Sequence, residues 1–205
     1  MENLFNIFIR SVFIDNMIFA YFLGMCAFLA VSKTVNTARG LGIAVTFLTV
    51  ITVPINYLLL NYVLKAGALS WLSPTLANVN LEFLSFVMFI AVIAGLTQIV
   101  EMFIEKYSPA LYQSLGIFLP LLAVNCAIMG GSLFMQEREI ASIGEAFSFA
   151  LGSGFGWWLA VVSLAAIREK MSYSQIPVPL RGLGIAFITT GLMAIAFMSF
   201  MGIQL

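Results

Sequence analysis

Cys26 and Cys126 are the two cysteines of this 205-residue chain, which has no histidine. Thiolate is a soft ligand for zinc and for iron–sulfur clusters, and both normally take four ligands. Two thiols, no imidazole and no carboxylate next to either sulfur in sequence leave such a site half built. A metal centre here therefore demands two more thiolates from another chain, a second copy or a homologous partner. Two plainer readings stand beside it. Free cysteine is a small hydrophobe that packs well, and a disulfide between the two would need a redox partner that nothing in the chain supplies. The flanking residues suit an interrupted helix: Gly24 precedes the first cysteine, and Pro120, Gly130 and Gly131 bracket the second. Glycine lets backbone approach a cluster and proline frees a carbonyl; the same residues also serve close helix–helix packing.

Other polar residues lie within apolar stretches. Asp15, Asn16 and Asn125 could together form the midplane site of a small inverted-repeat ion or solute transporter. The simpler expectation is that Asp15-Asn16 caps a broken half-helix and that Asn125 hydrogen-bonds a sulfur or a backbone group. Thr52, Asn56, Thr189 and Thr190 are expected to hydrogen-bond between helices. Glu82, Glu101 and Glu145 fall at span ends, in reach of headgroups or water, and Trp71, Trp157 and Trp158 are expected to be interfacial or lipid-facing. Gly152, Gly154 and Gly156 alternate without a preceding strand, so they read as close-packing positions rather than a dinucleotide loop.

The elements that hold these residues must suit lipid. The chain is 62% apolar and 9% charged, with a mean hydropathy of +1.07. A soluble domain of this size cannot hide that much apolar surface in one core. Nine basic residues balance nine acidic ones, which leaves no stripe for nucleic acid. Met1–Ile9 has no basic residue, unlike the start of a signal peptide, so the first apolar stretch is expected to persist as a span.

Six stretches reach the roughly 20 apolar residues that a helix needs to cross a bilayer: Phe5–Val31, Leu41–Leu64, Leu81–Val100, Leu111–Phe134, Ala146–Ile167 and Leu183–Ile203. None has the dyad alternation of a barrel strand. The predicted fold is an all-α polytopic membrane protein forming a single transmembrane domain. The connections Lys33–Arg39, Lys65–Asn80, Glu101–Pro109, Gln136–Glu145 and Arg168–Arg181 are too short for a soluble domain. Six spans put both termini on one face. The other face holds Lys33, Arg39, Lys106, Arg168, Lys170 and Arg181 against Arg10, Lys65 and Arg138, so both termini are expected outside the cytoplasm. Residues 1–104 and 105–205 each hold three spans, with a cysteine in the first span of each. An odd number of spans per half inverts the second half relative to the first. The first helix of each half is expected to break near its cysteine. The hexapeptide Arg-Gly-Leu-Gly-Ile-Ala occurs at Arg39–Ala44 and again at Arg181–Ala186, and reads as a shared way of starting a helix from the basic face.

At Phe22-Leu23-Gly24-Met25-Cys26 and Pro120-Leu121-Leu122-Ala123-Val124-Asn125-Cys126-Ala127-Ile128-Met129-Gly130-Gly131 the chain resembles the E-type membrane subunits of bacterial sodium-translocating NADH:quinone reductase and, less closely, the A-type subunits of the Rnf complex. The likeness covers essentially the whole chain. It implies that Cys26 and Cys126 supply half the ligands of an intramembrane [2Fe–2S] centre, and that the homologous D-type subunit, in opposite orientation, supplies the rest. It further implies electron transfer across the bacterial inner membrane, coupled to Na⁺ export; in that membrane the basic-residue count puts both termini on the periplasmic side. NADH, flavins and quinone would be bound by other subunits of that complex.

Overall fold

A computed structural model describes residues 4–65, 82–107, 119–175 and 177–202, and among these there are helices and no strand. Helix α1 spans Leu4–Ile14, its last five residues wound as a π-turn, and α2 spans Met25–Val31. Helix α3 covers Val35–Leu64 and α4 covers Ser85–Tyr107. The short α5 (Leu119–Ala123) precedes α6 (Cys126–Glu137), then α7 (Ile143–Met171) and α8 (Leu183–Met198). Helices α3, α4 and α7 are long and apolar enough to cross a bilayer, while α1 and α8 are shorter apolar helices.

The predicted breaks are present on both sides of the chain. The first apolar stretch is not one helix, because residues 15–24 run through turns between α1 and α2. The fourth is interrupted at Val124-Asn125, between α5 and α6; its residues 111–118 lie outside the described part. So do Trp71, Leu81, Ile203, all of the Lys65–Asn80 connection except Lys65, and Pro109. The expected loop from Glu101 is instead helical through Tyr107, and α7 likewise continues past Arg168 to Met171. Charged side chains at a membrane boundary point off a helix without ending it, so charge marked the edge of the lipid rather than the edge of the helix.

Helix α7 is the centre of the packing, lying along α3 for much of its length. The contacts are reciprocal: α1 of the first half packs on α7 of the second, and α6 of the second packs on α3 of the first. Glycine makes these approaches close. Residues two apart on a helix point about 200° apart, while residues four apart share a face. A Cβ on Gly152 would lie 2.8 Å from Phe8 O and one on Gly156 would lie 3.0 Å from Val12 O, so this pair admits α1. Gly154 faces the other way, where a Cβ would lie 2.9 Å from the Cα of Thr46 on α3. Leucine at Gly154 would have to displace α3 backbone, at a cost of about 1–3 kcal/mol or more. The expected result is a lowered unfolding midpoint in detergent for Gly154→Leu and little change for Gly95→Leu, where a Cβ meets nothing within 4 Å.

Candidate functional site

Both cysteines stand at the start of a half-helix. Cys26 is the second residue of α2 and Cys126 the first of α6. The turn before α2 is organised by Asn16, which is fully buried. Its Oδ1 accepts from the N–H of Ile18 at 3.0 Å and of Phe19 at 3.4 Å, and its Nδ2 donates to Val12 O at 3.0 Å and to Gly156 O at 2.9 Å. Met17, Ile18 and Phe19 are buried and pin this turn in the core. Gly24 then caps α2 at φ +78°, a left-handed conformation that glycine adopts without strain. At the second break Asn125 is extended, and its Oδ1 accepts from the N–H of Ala127 at 3.0 Å, a side-chain N-cap.

The two starts touch. A Cβ on Gly24 would sit 3.0 Å from Asn125 Oδ1 and 3.0 Å from Ala127 Cβ, the two residues flanking Cys126. Leu23 packs on Gly130 one turn further along α6. Residues one hundred apart in sequence thereby become neighbours, and both thiols are free and exposed. Cys126 Sγ lies 4.0 Å from Val124 O, and Phe22 and Val124, each near one cysteine in sequence, are exposed. Beneath, Trp157 Nε1 lies 2.8 Å from where that Gly24 Cβ would be; this N–H and Asn125 Nδ2 are buried donors without an acceptor. Two soft thiols at neighbouring helix starts are the donor set that one half of a thiolate-bound metal group would use. Among the described residues no group of three or more His, Cys, Asp or Glu side chains gathers to hold a metal.

The family described as Rnf-Nqr subunit, membrane protein, matches residues 4–204. The chain belongs to the Rnf–Nqr subunit family. It is similar, over the full length of both chains, to the E subunits of Na(+)-translocating NADH-quinone reductase. Identity is 57% to that of Azotobacter vinelandii, 58% to that of Psychromonas ingrahamii and 54% to that of Rhodopirellula baltica.

In this Rnf–Nqr family member Asp15 closes α1 as expected, standing at its C-cap with its backbone N–H on Arg10 O at 2.8 Å, but its carboxylate takes no part in that cap. Asp15 Oδ2 instead pairs with Arg10 Nε at 3.1 Å and with Arg138 Nη2 at 2.9 Å, and Tyr21 OH lies 3.4 Å from Oδ1. Arg138 is the C-cap of α6, so the carboxylate ties the first break to the end of the Cys126 helix. Most of the polar atoms that a midplane transporter site would use are thus engaged, Asp15 by two guanidiniums, Asn16 by backbone and Asn125 Oδ1 by its capping bond, while Asn125 Nδ2 is not. Asparagine at Asp15 should cost about 1–3 kcal/mol, less than for a fully buried pair because both arginines are partly exposed. Thermal unfolding of the purified Asp15→Asn chain checks this.

Trp157 is fully buried rather than interfacial, because α7 runs through the middle of the bundle. Trp158 is half-buried against Gly42, which leaves it room. Asn56 bridges α3 to α6 through Ser132 Oγ at 2.7 Å, as expected. Thr189 and Thr190 bond carbonyls of their own helix, Ile185 O and Ala186 O, both at 2.8 Å; Thr189 Oγ1 also reaches Met171 Sδ of α7 at 3.9 Å, as expected, and Thr52 Oγ1 has no partner. A threonine hydroxyl reaches the carbonyl four residues back without any neighbouring helix. Glu145 does sit at a helix end, where Ser142 accepts its N–H at 3.2 Å while Glu145 Oε2 accepts from Ala141 N at 3.3 Å. The Ser142-Ile143-Gly144-Glu145 pattern is a capping signal that could have marked this helix start in the sequence.

Proposed function

We propose that the chain is the E-type membrane subunit of a sodium-translocating NADH:quinone reductase and that it conducts electrons across the inner membrane. Cys26 and Cys126 would hold one side of a [2Fe–2S] centre, with the homologous D-type subunit supplying the other two thiolates. Such a centre, when bound, takes up and releases one electron at a time within the bilayer. The protein's own contribution is to hold two thiols on half-helices, to line the approach with apolar side chains, and to present both sulfurs on a face open to a partner. The observation that carries this reading is the contact of Gly24 with Asn125 and Ala127, which makes neighbours of two otherwise distant, exposed cysteine segments.

The accompanying topology is six spans in two inverted three-helix halves, with both termini periplasmic. Its support is the reciprocal packing of each half's broken first helix on the middle helix of the other half, together with the moderate excess of basic residues in the opposite loops. NADH oxidation, flavin and quinone binding then belong to other subunits, and Na⁺ crosses in the same complex.

The test is to purify this chain with and without its closest homologous partner. Iron, acid-labile sulfide and the visible and electron paramagnetic resonance (EPR) spectra are then measured on each. Iron and sulfide in a two-to-two ratio per pair, absent from either chain alone, are the expected result. A stoichiometric metal centre in this chain by itself, or none in the pair, overturns the proposal.

A further inference from the structure

Helix α2 carries Cys26 but has only seven residues, Met25–Val31. A helix that short does not hold itself, since nucleation is costly and few hydrogen bonds follow it. Ala27, Phe28 and Val31 bury its inner side, which resists lifting but leaves its last carbonyls without partners along the helix. One of those carbonyls, Leu29 O, is met from a distant element. Arg168, on α7, donates through Nη1 to Leu29 O at 3.0 Å and to Ser32 Oγ at 2.7 Å. Ser32 is fully buried; its hydroxyl lies 3.3 Å from Leu29 O, and its N–H reaches Phe28 O at 3.2 Å. One guanidinium, one hydroxyl and one carbonyl thus close the end of α2 in a ring. Among the described residues the ion pairs belong to Asp15 and none involves Arg168. A cation at a helix C-terminus also complements the helix dipole.

We propose that Arg168 is a positioning residue for Cys26. Leu29 is three residues, about 4.5 Å of helix rise, beyond Cys26, so a tilt at the closed end of α2 moves the thiol at the other. Cys126 has a separate tether, because its helix ends on Arg138 and that arginine is bound to Asp15. Loss of the Arg168 ring should therefore displace one thiol and leave the other in place. The inference rests on the reading of Cys26 as a metal ligand, but its geometric part can be measured without any metal.

The experiment uses the full-length chain in lipid nanodiscs, with nitroxide labels on Cys26 and Cys126 and the distance between them read by pulsed EPR. Arg168→Met should broaden that distribution about twofold and speed amide exchange in Leu29–Ser32 about tenfold, with α6 amides unchanged. Ser32→Ala, a milder change that leaves the guanidinium on Leu29 O, should shift both readings in the same direction by less. Arg168→Lys should restore part of the exchange protection, and Lys170→Met, an exposed neighbour, should change neither reading. In the complex with its partner subunits, Arg168→Met should alter the EPR lineshape of the metal centre. An unchanged distance distribution and exchange rate in Arg168→Met overturns the inference, as does equal loosening of α6. Failure of the ligand reading is separately visible as retention of the metal centre in Cys26→Ala.

Discussion

Alanine in place of Cys26 or Cys126 is expected to strip the intact complex of the iron and acid-labile sulfide held at these two thiols and to stop electron delivery from NADH to quinone. The fall in quinone reduction should exceed about a hundredfold, since even outer-shell partners of a metal site typically cost 10–100-fold. Each single substitution should be as damaging as the pair, because ligands of one centre act as a unit and their effects do not add. The chain itself should remain folded and inserted. Both thiols are exposed and contribute nothing to the core, and surface changes of this kind are usually within about 0.5 kcal/mol of neutral. Metal analysis, the EPR spectrum and quinone reduction by the purified complex decide the matter. Full metal content with alanine at both positions would leave the two exposed cysteines with no ligating role and overturn the reading.

Valine at Gly24 should be nearly as damaging by a different route. Its φ of +78° is left-handed, which costs an L-residue roughly 1–2 kcal/mol and a β-branched one more. Its Cβ would also fall 2.8 Å from Trp157 Nε1 and 3.0 Å from both Asn125 Oδ1 and Ala127 Cβ. Overpacking at such a junction adds about 1–3 kcal/mol. The neighbours have little freedom: Trp157 is buried, and Asn125 is held by its capping bond to Ala127. The expected outcome is a separation of the α2 and α6 starts, with loss of the metal centre at normal expression and a lowered unfolding temperature. Gly24→Ala should show the same effects more weakly. The contrast with Gly182→Ala is informative. Gly182 has φ +102° but open space around it, so only the backbone cost applies there and the metal content should be unchanged.

Of the candidate site, the sequence disclosed two thiols and no histidine, so that a metal centre built on them would need ligands from a partner. It also disclosed the breaks, through Gly24 and the run from Pro120 to Gly131, since these residue types interrupt helices wherever they occur. It did not disclose what completes the breaks. Phe22 takes a positive φ of 56° although it is not glycine, Asn16 ties the turn after α1 to Gly156 O, and the Asp15 carboxylate is claimed by Arg138 from the other half. Each of these depends on a residue more than a hundred positions away or on the turn that such contacts impose, and no local pattern contains it.

The same boundary runs through the repeated hexapeptide. Arg39–Ala44 lies inside α3, entered from Val35, whereas at Arg181–Ala186 the helix begins only at Leu183, after Gly182 and the 3-10 turn Val178–Leu180. Identical residues have different roles because Pro177 and Pro179 precede the second copy while a helical turn precedes the first. Trp157 shows the principle in three dimensions: aromatic residues in membrane proteins favour the interface, yet this one is buried because α7 became the central helix. By itself the sequence determined that this is a helical membrane protein and which two side chains are soft enough to be candidate metal ligands, because transfer to lipid and ligand chemistry act residue by residue. Only the tertiary structure decided which helix is central, which polar groups are engaged and that the two cysteine segments meet, because those outcomes depend on backbone approach between residues that the chain keeps far apart.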